Sequence, residues 1–398
     1  MYYLNDLFAI SALGITEDEF LLNLKSNNTN LLKETSGFLP NNMSAPLGII
    51  NAIETQGNQK RNICLLQYVL KHLKESLDNA LNKYPKDRIG VVIGTSTSLI
   101  SDVERNLTTK SNDELDANNT NETIQNQLYK FDANVYEIGD ISTEISKLLG
   151  VLGPSYTIAT ACSSAARALM SARALIDSNI CDCVIVGGTD SMSQVTVSGF
   201  HALGALSLEK AVPFKNTRNG INIGEGAGLT VMSKDILSHN HIKLLGMGGS
   251  SDAYHPSAPD PSGIMGCIAT CKALKDANLK AQDISYINMH GTGTKLNDAM
   301  EGQIVRKVFK DLNVPVSSTK HLTGHTLGAA AIVEAYICAL ILRYDLNLPY
   351  HAYEFDDVKD EFGDINLVLR DNVKLKSKVI ISNSFAFGGN NASLIFGI

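Results

Sequence analysis

One cysteine lies where proteins commonly hold a nucleophilic thiol. Cys162 stands in the run TACSSAA (160–166), between a short segment typical of a strand and an Ala-rich segment typical of a helix. Free N–H groups and the dipole at a helix start stabilise a thiolate, so we expect the pKa of Cys162 to lie below the usual value of about 8.5. We interpret the other six cysteines as small hydrophobic side chains: Cys64, Cys181, Cys183, Cys267, Cys271 and Cys338.

Two histidines lie at similar junctions. His290 is part of INMHGTGT, where an apolar strand ends in a loop of Gly and Thr, and His325 is part of KHLTGHTLGAA, where a loop leads into a helix. Reactive groups on parallel sheets usually lie at the carboxyl ends of the strands. Either histidine alone is compatible with a hydrogen-bonded core residue. Two histidines and a cysteine at equivalent junctions favour a shared catalytic site.

Two other patterns are weaker signals of chemistry. Cys181 with Cys183, and Cys267 with Cys271, lack the two-residue gap of a zinc knuckle, so we predict no metal site. Residues 224–228 (GEGAG) are similar to a nucleotide-binding loop, but the residues that follow them, LTVM, favour a glycine-containing strand.

Strands and helices alternate around these residues. Residues 89–95 and 183–188 are apolar, β-branched runs typical of buried parallel strands, and residues 1–14 indicate an opening strand. Residues 167–176 and 328–342 are rich in Ala and Leu and indicate helices. The alternation predicts a layered α/β fold. Between the first two strands, the polar, Asn-rich segment 110–127 is predicted to be a surface excursion.

The chain contains a weak internal repeat. Residues 154–176 and 315–340 each indicate a strand, a Ser/Thr-rich loop with one reactive side chain and an Ala-rich helix, with Cys162 corresponding roughly to His325. A duplicated fold would place the two helix starts near a pseudo-two-fold axis, where the two side chains could meet. The repeat predicts two similar halves, the first with the cysteine and the second with both histidines: 1–240 and 241–398.

Composition and charge exclude several classes of protein. The 398 residues include 34 Lys and Arg against 41 Asp and Glu, a net charge of −7, which argues against a nucleic-acid binder that relies on phosphate neutralisation. Hydrophobic residues make up 44% and charged residues 19%, which excludes wholesale disorder. The longest apolar stretch, 327–342, is too short to span a bilayer and contains Glu334. Because the cysteine count is odd and no basic leader opens the chain, we expect a cytoplasmic protein.

Five segments together resemble the β-ketoacyl-[acyl-carrier-protein] synthases, the condensing enzymes of fatty-acid and polyketide assembly. They are TACSSAARAL around Cys162, GEGAG at 224–228, HGTGTKLND at 290–298, KHLTGHTLGAA from Lys320 and NSFAFGGNNASL from Asn383. The resemblance implies a thiolase-like, five-layered αβαβα fold built from two similar halves and usually dimeric. It also implies a mechanism, in which Cys162 takes an acyl chain from a carrier protein's phosphopantetheine thioester. His290 and His325 would stabilise the enolate that forms when malonyl-carrier protein loses CO2.

The resemblance assigns further roles around these three residues. The backbone N–H groups of Cys162 and Phe387 would form an oxyanion hole, and Phe387 would also gate the acyl pocket. Thr292 and Thr294 would hold the pantetheine arm. A charged cluster would orient His325, and its members would be Lys320, Glu334, Asp298 and Glu301.

The resemblance also implies partners. Substrates would arrive on the phosphopantetheine arm of an acyl carrier protein, so no separate cofactor is expected, and neither is a nucleic acid or a membrane span. Carrier proteins are acidic, and Lys60 and Arg61 match family positions near the entrance, with Lys210, Lys215 and Arg218 as further candidates for docking. The chain would form a homodimer, or a heterodimer with a chain-length-factor-like homologue.

Within this family the motifs favour one subgroup. HGTGTKLND looks more like the polyketide-type synthases, including those of aryl polyene clusters, than the HGTST form of the elongation enzymes. The segment around Phe200 also lacks an Arg that bacterial elongation synthases place near the carrier-protein entrance. Two other sites depart from the common pattern of the whole family, namely residues 215–220 (KNTRNG) and Asn390. We therefore predict a polyketide-type synthase, with a housekeeping fatty-acid elongation synthase as the alternative.

Alternatives outside this activity make different predictions. A non-catalytic, chain-length-factor-like subunit would lack Cys162 or one of the histidines, and all three are present. A thiolase would carry a second reactive cysteine within 384–393, and none occurs there. Synthases that start chains from coenzyme A use Asn in place of the second histidine, so His325 argues against them.

Overall fold

The computed structural model describes residues 1–57, 59–113 and 137–398. Its strands are β1 (Tyr2–Ile10), β2 (Lys33–Thr35), β3 (Ala45–Leu47), β4 (Ile89–Gly94), β5 (Ser155–Ile158), β6 (Cys183–Asp190), β7 (Gly226–Ser233), β8 (His241–Ser251), β9 (Tyr286–Asn288), β10 (Val316–Ser317), β11 (Val379–Phe385) and β12 (Asn390–Gly397). The predicted strands at the start of the chain, at 89–95 and at 183–188 are confirmed, and GEGAG leads into β7 as expected.

The helices are α1 (Glu17–Lys25), α2 (Arg61–Leu70), α3 (Lys74–Lys83), α4 (Ile100–Asp113), α5 (Asp140–Leu149), α6 (Ser164–Asp177), α7 (Gln194–Ala202), α8 (Ile264–Asp276), α9 (Lys295–Phe309), α10 (Lys320–Thr323), α11 (Ala330–Tyr344) and α12 (Lys359–Phe362). The two predicted Ala- and Leu-rich helices are confirmed as α6 and α11. Of the predicted excursion 110–127, residues 110–113 end α4, and 114–127 lie outside the described residues.

The main sheet contains the same five-strand pattern twice. One half has the order β5-β4-β6-β7-β1 and the other β10-β9-β11-β12-β8. In each half, two parallel pairings are followed by two antiparallel ones. The halves join where β1 pairs antiparallel with β8, with Tyr2 opposite Leu244. The sheet order confirms the two similar halves that the internal repeat predicted.

Helices α6 and α11 form the central layer between the two halves of the sheet. Each of them contacts strands of both halves and the two contact each other, while α2, α3 and α8 pack on outer faces of the sheet. This is the expected five-layered αβαβα arrangement. By length and composition alone, the apolar segment Leu327–Tyr344, with a mean hydropathy of 1.6, could cross a membrane, but 89% of it is buried inside the protein. Because it is buried, this segment is a helix of the protein core.

The repeat aligns differently from the sequence prediction. Ala161, just before Cys162, has a left-handed backbone with φ of 50°, and Leu327 has the same φ of 50° just before Gly328. Helices α6 and α11 begin two residues after Cys162 and Gly328, respectively. The structural counterpart of Cys162 is therefore Gly328, and the expected correspondence with His325 is wrong by three residues.

Gly328 lets the start of α11 approach the first half closely. A Cβ atom at this position would lie 2.6 Å from the backbone N of Ser96 and 2.7 Å from Oδ2 of Asp190. The backbone N–H of Gly328 donates to that carboxylate oxygen, with an N···O distance of 2.6 Å. Asp190 also accepts from the side chains and backbone of residues 95–97. A buried carboxylate thus joins the end of β6 to the start of α11.

Because the start of α11 approaches the first half so closely, a single methyl group added at Gly328 is expected to lower the stability of the protein. We expect Gly328→Ala to destabilise the protein by about 1–3 kcal/mol, because neither the backbone at Ser96 nor Asp190 can move freely. Gly199→Ala is the control: Gly199 lies within α7, and a Cβ there would meet no atom within 4 Å. Thermal unfolding should show a lower Tm for the first variant and an unchanged or higher Tm for the second. Equal effects of the two substitutions would contradict this packing argument.

Candidate functional site

Cys162 lies in the tight turn between β5 and α6. The left-handed residue Ala161 turns the chain, and the backbone N–H of Thr160 donates to Oγ of Ser164, with an N···O distance of 2.9 Å. Oγ of Ser164 in turn donates to the backbone oxygen of Ala161 at 2.6 Å. These bonds hold the thiol at the start of α6, where it is only 5% exposed.

His290 follows β9 and is held through its backbone. Its N–H donates to Oε1 of Glu301 with an N···O distance of 2.6 Å, and the N–H of Gly291 donates to Oε2 at 2.7 Å. Burial raises the pKa of Glu301 to about 8, while these two donors favour its charged form. Glu301 therefore fixes the turn that carries His290, and it does not contact His325.

His325 lies between α10 and the start of α11. Its backbone N–H donates to the carbonyl oxygen of Asn222 at 2.7 Å. Nε2 of His325 lies 3.0 Å from Sγ of Cys162, and the two imidazole rings of His290 and His325 lie 5.2 Å apart, edge to face. The structure therefore brings together all three residues that the sequence singled out for chemistry.

Hydrogen bonds determine which nitrogen of each imidazole carries the proton. The backbone N–H of Leu327 donates to Nδ1 of His325, with an N···N distance of 3.1 Å. Nδ1 of His290 lies 3.3 Å from Nζ of Lys320, and because an ammonium group can only donate, this Nδ1 also accepts. In both neutral rings the proton must therefore be on Nε2.

Both histidines are neutral at physiological pH. Burial is the main reason that the pKa values of His290 and His325 lie well below 6.5, and the charge of Lys320 lowers both further. With each Nδ1 accepting a hydrogen bond, both rings offer an Nε2–H group as a donor. The site therefore contains two N–H donors close to a thiol.

The Lys320–Glu334 ion pair contacts a different histidine from the one expected. Lys320 forms an ion pair with Glu334, each only 2% exposed, and the ammonium group contacts His290 rather than His325. Burial raises the pKa of Glu334, and the charge of Lys320 opposes this. The prediction that the cluster orients His325 is thus wrong, because the backbone N–H of Leu327 does so.

Asp298 also has a different task from the expected one. It accepts from the backbone N–H groups of Phe214 at 2.9 Å and Gly293 at 3.2 Å. The guanidinium group of Arg218 lies 3.6 Å from the same carboxylate. Asp298 therefore holds two loops together beside the site and does not contact His325.

The expected low pKa of Cys162 is not observed. Burial raises the pKa of this thiol to about 11, although the charge of Lys320 and the backbone N–H groups of Phe387 and Cys162 favour the thiolate. The cost of burying a charged sulfur therefore outweighs the stabilisation that was expected from the helix start. The two N–H groups remain available to an oxygen that becomes negative beside the sulfur.

A cavity of about 470 Å³ leads to the three residues. Its buried end is lined by Cys162, His290 and His325, and Thr292 and Thr294 line its wall. The hydroxyl oxygens of the two threonines lie 3.0 Å apart. The structure thus places both predicted threonines on the route to the thiol.

A second cavity, of about 400 Å³, is also lined by Cys162, and most of its lining residues are apolar. Phe200, Phe387 and Cys162 line both cavities. The rings of Phe200 and Phe387 lie 5.6 Å apart. Phe387 therefore stands where the two cavities meet.

The donor atoms of the three residues lie within 4.8 Å of one another, so a metal ion could in principle use the same set. A thiolate and two imidazoles are ligands that zinc accepts. However, Nδ1 of His290 already contacts the ammonium group of Lys320, and this positive charge disfavours a dication. The arrangement fits proton and acyl chemistry better than metal binding.

The predicted docking cations have acidic partners within the chain. Lys60 pairs with Asp140 and Glu144, and Arg61 pairs with Glu225 at 2.6 Å. Docking of a carrier protein at Lys60 and Arg61 therefore stays a prediction. Because both cations already pair with carboxylates of this chain, an acidic partner would have to share them or bind other cations. The further candidates Lys215 and Arg218 are also paired, whereas Lys210 donates to Asn30.

Asp190 was not predicted from the sequence, yet it is fully buried and joins the two halves beside the site. Burial raises the pKa of this carboxyl group, and five hydrogen bonds from residues 95–97 lower it in part. The sequence does contain a signal for this residue, because Asp190 ends the apolar run CVIVGGTD (183–190), and polar residues at the ends of buried parallel strands often lie at a functional site. The same reasoning had identified His290.

Comparison with known proteins places these features in a family. Residues 59–235 match the profile described as the N-terminal domain of β-ketoacyl synthase, and residues 241–354 match the profile of its C-terminal domain. Among curated proteins, nodulation protein E of Rhizobium meliloti is 34% identical over 267 residues, which are 64% of this chain and 64% of that protein. The 3-oxoacyl-[acyl-carrier-protein] synthase 2 of Staphylococcus aureus is 34% identical over 274 residues, which are 65% of this chain and 67% of that protein.

Solved structures match over the full chain. The ketosynthase ApeO of Xenorhabdus doucetiae, solved in complex with its chain length factor ApeC, is 36% identical. The match covers 100% of this chain and 98% of ApeO, with a TM-score of 0.89. The ketosynthase of the AntDE:AntF complex has a TM-score of 0.84 at 19% identity and supports the fold alone.

The raised pKa of Cys162 predicts how the thiol reacts with an alkylating reagent. Because the thiolate is the nucleophile, we expect the rate of alkylation by iodoacetamide to rise throughout the range from about pH 7 to 9.5. Peptide mass spectrometry measures the modification at Cys162 and, as an internal control, at the exposed Cys271. A rate at Cys162 that levels off below about pH 8 would show instead that the helix start controls this thiol.

Proposed function

The chain belongs to the β-ketoacyl synthase family, and on this premise we propose that it is a β-ketoacyl-[acyl-carrier-protein] synthase. It would catalyse the decarboxylative Claisen condensation of an enzyme-bound acyl chain with malonyl-acyl carrier protein. The observation that supports this most is the convergence of Cys162, His290 and His325 at the buried end of one cavity. The substrates would be carried on the phosphopantetheine arm of the carrier protein, and the enzyme would work in the cytoplasm.

In the first half-reaction, Cys162 attacks the thioester carbonyl of an acyl-carrier protein. Cys162 loses its thiol proton as Sγ bonds to the carbonyl carbon. The C–S bond to the carrier then breaks, and the departing phosphopantetheine thiolate takes up one proton, so that no net proton is gained or lost. Negative charge develops on the carbonyl oxygen, and the backbone N–H groups of Cys162 and Phe387 would stabilise it. Loss of one such donor typically lowers a rate about 10²- to 10³-fold.

In the second half-reaction, malonyl-carrier protein enters and its carboxylate leaves as CO2. The electron pair left behind forms an enolate, whose thioester oxygen becomes negative. The Nε2–H groups of His290 and His325 would donate to this oxygen, which favours the transition state over the ground state. The enolate carbon then attacks the acyl-Cys162 thioester and releases β-ketoacyl-carrier protein and the cysteine sulfur.

The surrounding residues have supporting roles in this scheme. Lys320 would hold His290 in the Nε2–H tautomer, and Glu334 would balance the buried charge of that lysine. Thr292 and Thr294 would bind the pantetheine arm. Phe387 would separate the arm from the acyl chain, which would occupy the second, apolar cavity.

We propose a polyketide-type role, similar to that of aryl polyene synthases, and a dimer with a chain-length-factor-like homologue or a second copy. The full-length similarity to ApeO, which was solved with its chain length factor, supports this choice. The apolar side chains of Val195 and Leu203 line the second cavity yet are 60% and 61% exposed. A partner subunit would cover them. We also propose residues 1–240 and 241–398 as the two repeat units.

Two alternatives remain distinguishable from this proposal. A housekeeping elongation synthase would use the same residues, and the similarity to the Staphylococcus aureus synthase favours it. A non-catalytic partner subunit would form no acyl-enzyme at all. The identity of the acyl donor that the enzyme accepts therefore distinguishes the proposed polyketide-type role from the elongation synthase. The formation of any acyl-enzyme distinguishes the proposed synthase from a non-catalytic subunit.

The direct test is intact-mass analysis after incubation with a panel of acyl-carrier proteins of different chain length and saturation. We expect one acyl group to add covalently to the wild-type protein and none to add to Cys162→Ala. Cys271→Ala, which changes an exposed cysteine on α8, should acquire the acyl group as the wild type does. An adduct that persists in Cys162→Ala, or the lack of an adduct with every donor, would contradict the proposed function.

A further inference from the structure

The wall of the larger cavity contains a single charged side chain that the proposed mechanism does not use. Among the residues that line this cavity, Lys295 is the only lysine or arginine, and no aspartate or glutamate lines it. Lys295 is exposed and begins α9. No ion pair of Lys295 occurs within the part of the chain that the structure describes. It is therefore a free cation at an otherwise uncharged cavity.

Exposure along the chain shows where Lys295 lies in the cavity. His290 and Thr292 are buried at 1% and 7% exposure, Thr294 is half-buried, and Lys295 is exposed. All four line the same cavity. The segment from His290 to Lys295 thus runs along the wall from the reactive end to the outer rim.

The order of these groups matches the chemistry of one ligand. A phosphopantetheine arm carries a thioester or thiol at one end, two amides along its length and a phosphate at the other end. The imidazole of His290 lies at the reactive end of the cavity, the hydroxyls of Thr292 and Thr294 can pair with amides, and an ammonium group stands at the rim. A phosphate oxygen is a strong partner for such an ammonium group.

We propose that Lys295 binds the phosphate of the phosphopantetheine arm and so sets how deeply the arm enters the cavity. This assignment rests on the proposed function, because it takes the arm as the ligand. Lys295 is a binding and positioning residue in this account, and it does not contact the reacting atoms. Its contribution should therefore depend on the phosphate and not on the acyl group.

The test compares two small donors that carry the same acyl group, acyl-phosphopantetheine and acyl-pantetheine, which lacks the phosphate. Lys295→Met removes the charge but retains most of the side chain. We expect this variant to acylate Cys162 from the phosphorylated donor about tenfold more slowly, which corresponds to the loss of one charge-assisted hydrogen bond. Its rate with acyl-pantetheine should equal that of the wild type.

Two controls sharpen the comparison. Lys295→Arg should retain much of the preference for the phosphorylated donor, since it keeps the positive charge. Lys25→Met changes an exposed lysine at the end of α1 that does not line the cavity, and it should behave as the wild type with both donors. Intact-mass analysis measures the acylation rate in every case.

The possible failures differ from one another. An equal loss with both donors, or no loss with either, would overturn the assignment of Lys295 while leaving the proposed function in place. If neither donor acylates the wild type and acyl-carrier proteins also fail to do so, the proposed function is contradicted and this assignment is contradicted with it. Acylation by carrier proteins but by neither small donor would also overturn the assignment, because the arm alone would then not be recognised.

Discussion

The chemistry of this site depends on where two imidazole protons are held. Nδ1 of His325 accepts from the backbone of Leu327, and Nδ1 of His290 accepts from the ammonium group of Lys320. Both Nε2–H groups are therefore left as donors beside the thiol. A ring with its proton on Nδ1 would instead offer a lone pair, and it could not stabilise a negative oxygen. The role of the buried Lys320–Glu334 ion pair is to stabilise the tautomer of His290 that carries its proton on Nε2.

The duplication explains how these groups come together. Helices α6 and α11 begin at the same place in the two halves and meet in the central layer, so the turns before them lie close to each other. The two turns differ in chemistry, because the first has Cys162 where the second has Gly328. The glycine permits close packing against Ser96 and Asp190, while His325, three residues earlier, supplies the imidazole. One half thus contributes the nucleophile and the other contributes both histidines.

Much of this arrangement could be predicted from residue patterns. Apolar β-branched runs identified the parallel strands, and Ala-rich segments identified the two central helices. The junctions that follow strands identified Cys162 and His290, and the loop before an Ala-rich helix identified His325. The partners of the histidines could not be predicted, because they depend on distances across the core. Lys320 and Glu334 are 14 residues apart along the chain, yet the contact of Lys320 with His290 requires the start of α10 to lie beside the loop that follows β9. The raised pKa of Cys162 could not be predicted either, because a sequence shows where a helix starts but does not show that the thiol is buried.

The most direct test of this account is the protonation of the two histidines by 15N NMR of protein labelled at histidine, with His290→Asn and His325→Asn to assign the signals among the nine histidines. We predict that both rings are neutral, carry the proton on Nε2 and do not titrate between about pH 8 and 6, because burial and Lys320 hold both pKa values well below 6.5. A ring with its proton on Nδ1, or a titration with a midpoint near the usual value of about 6.5, would contradict the account.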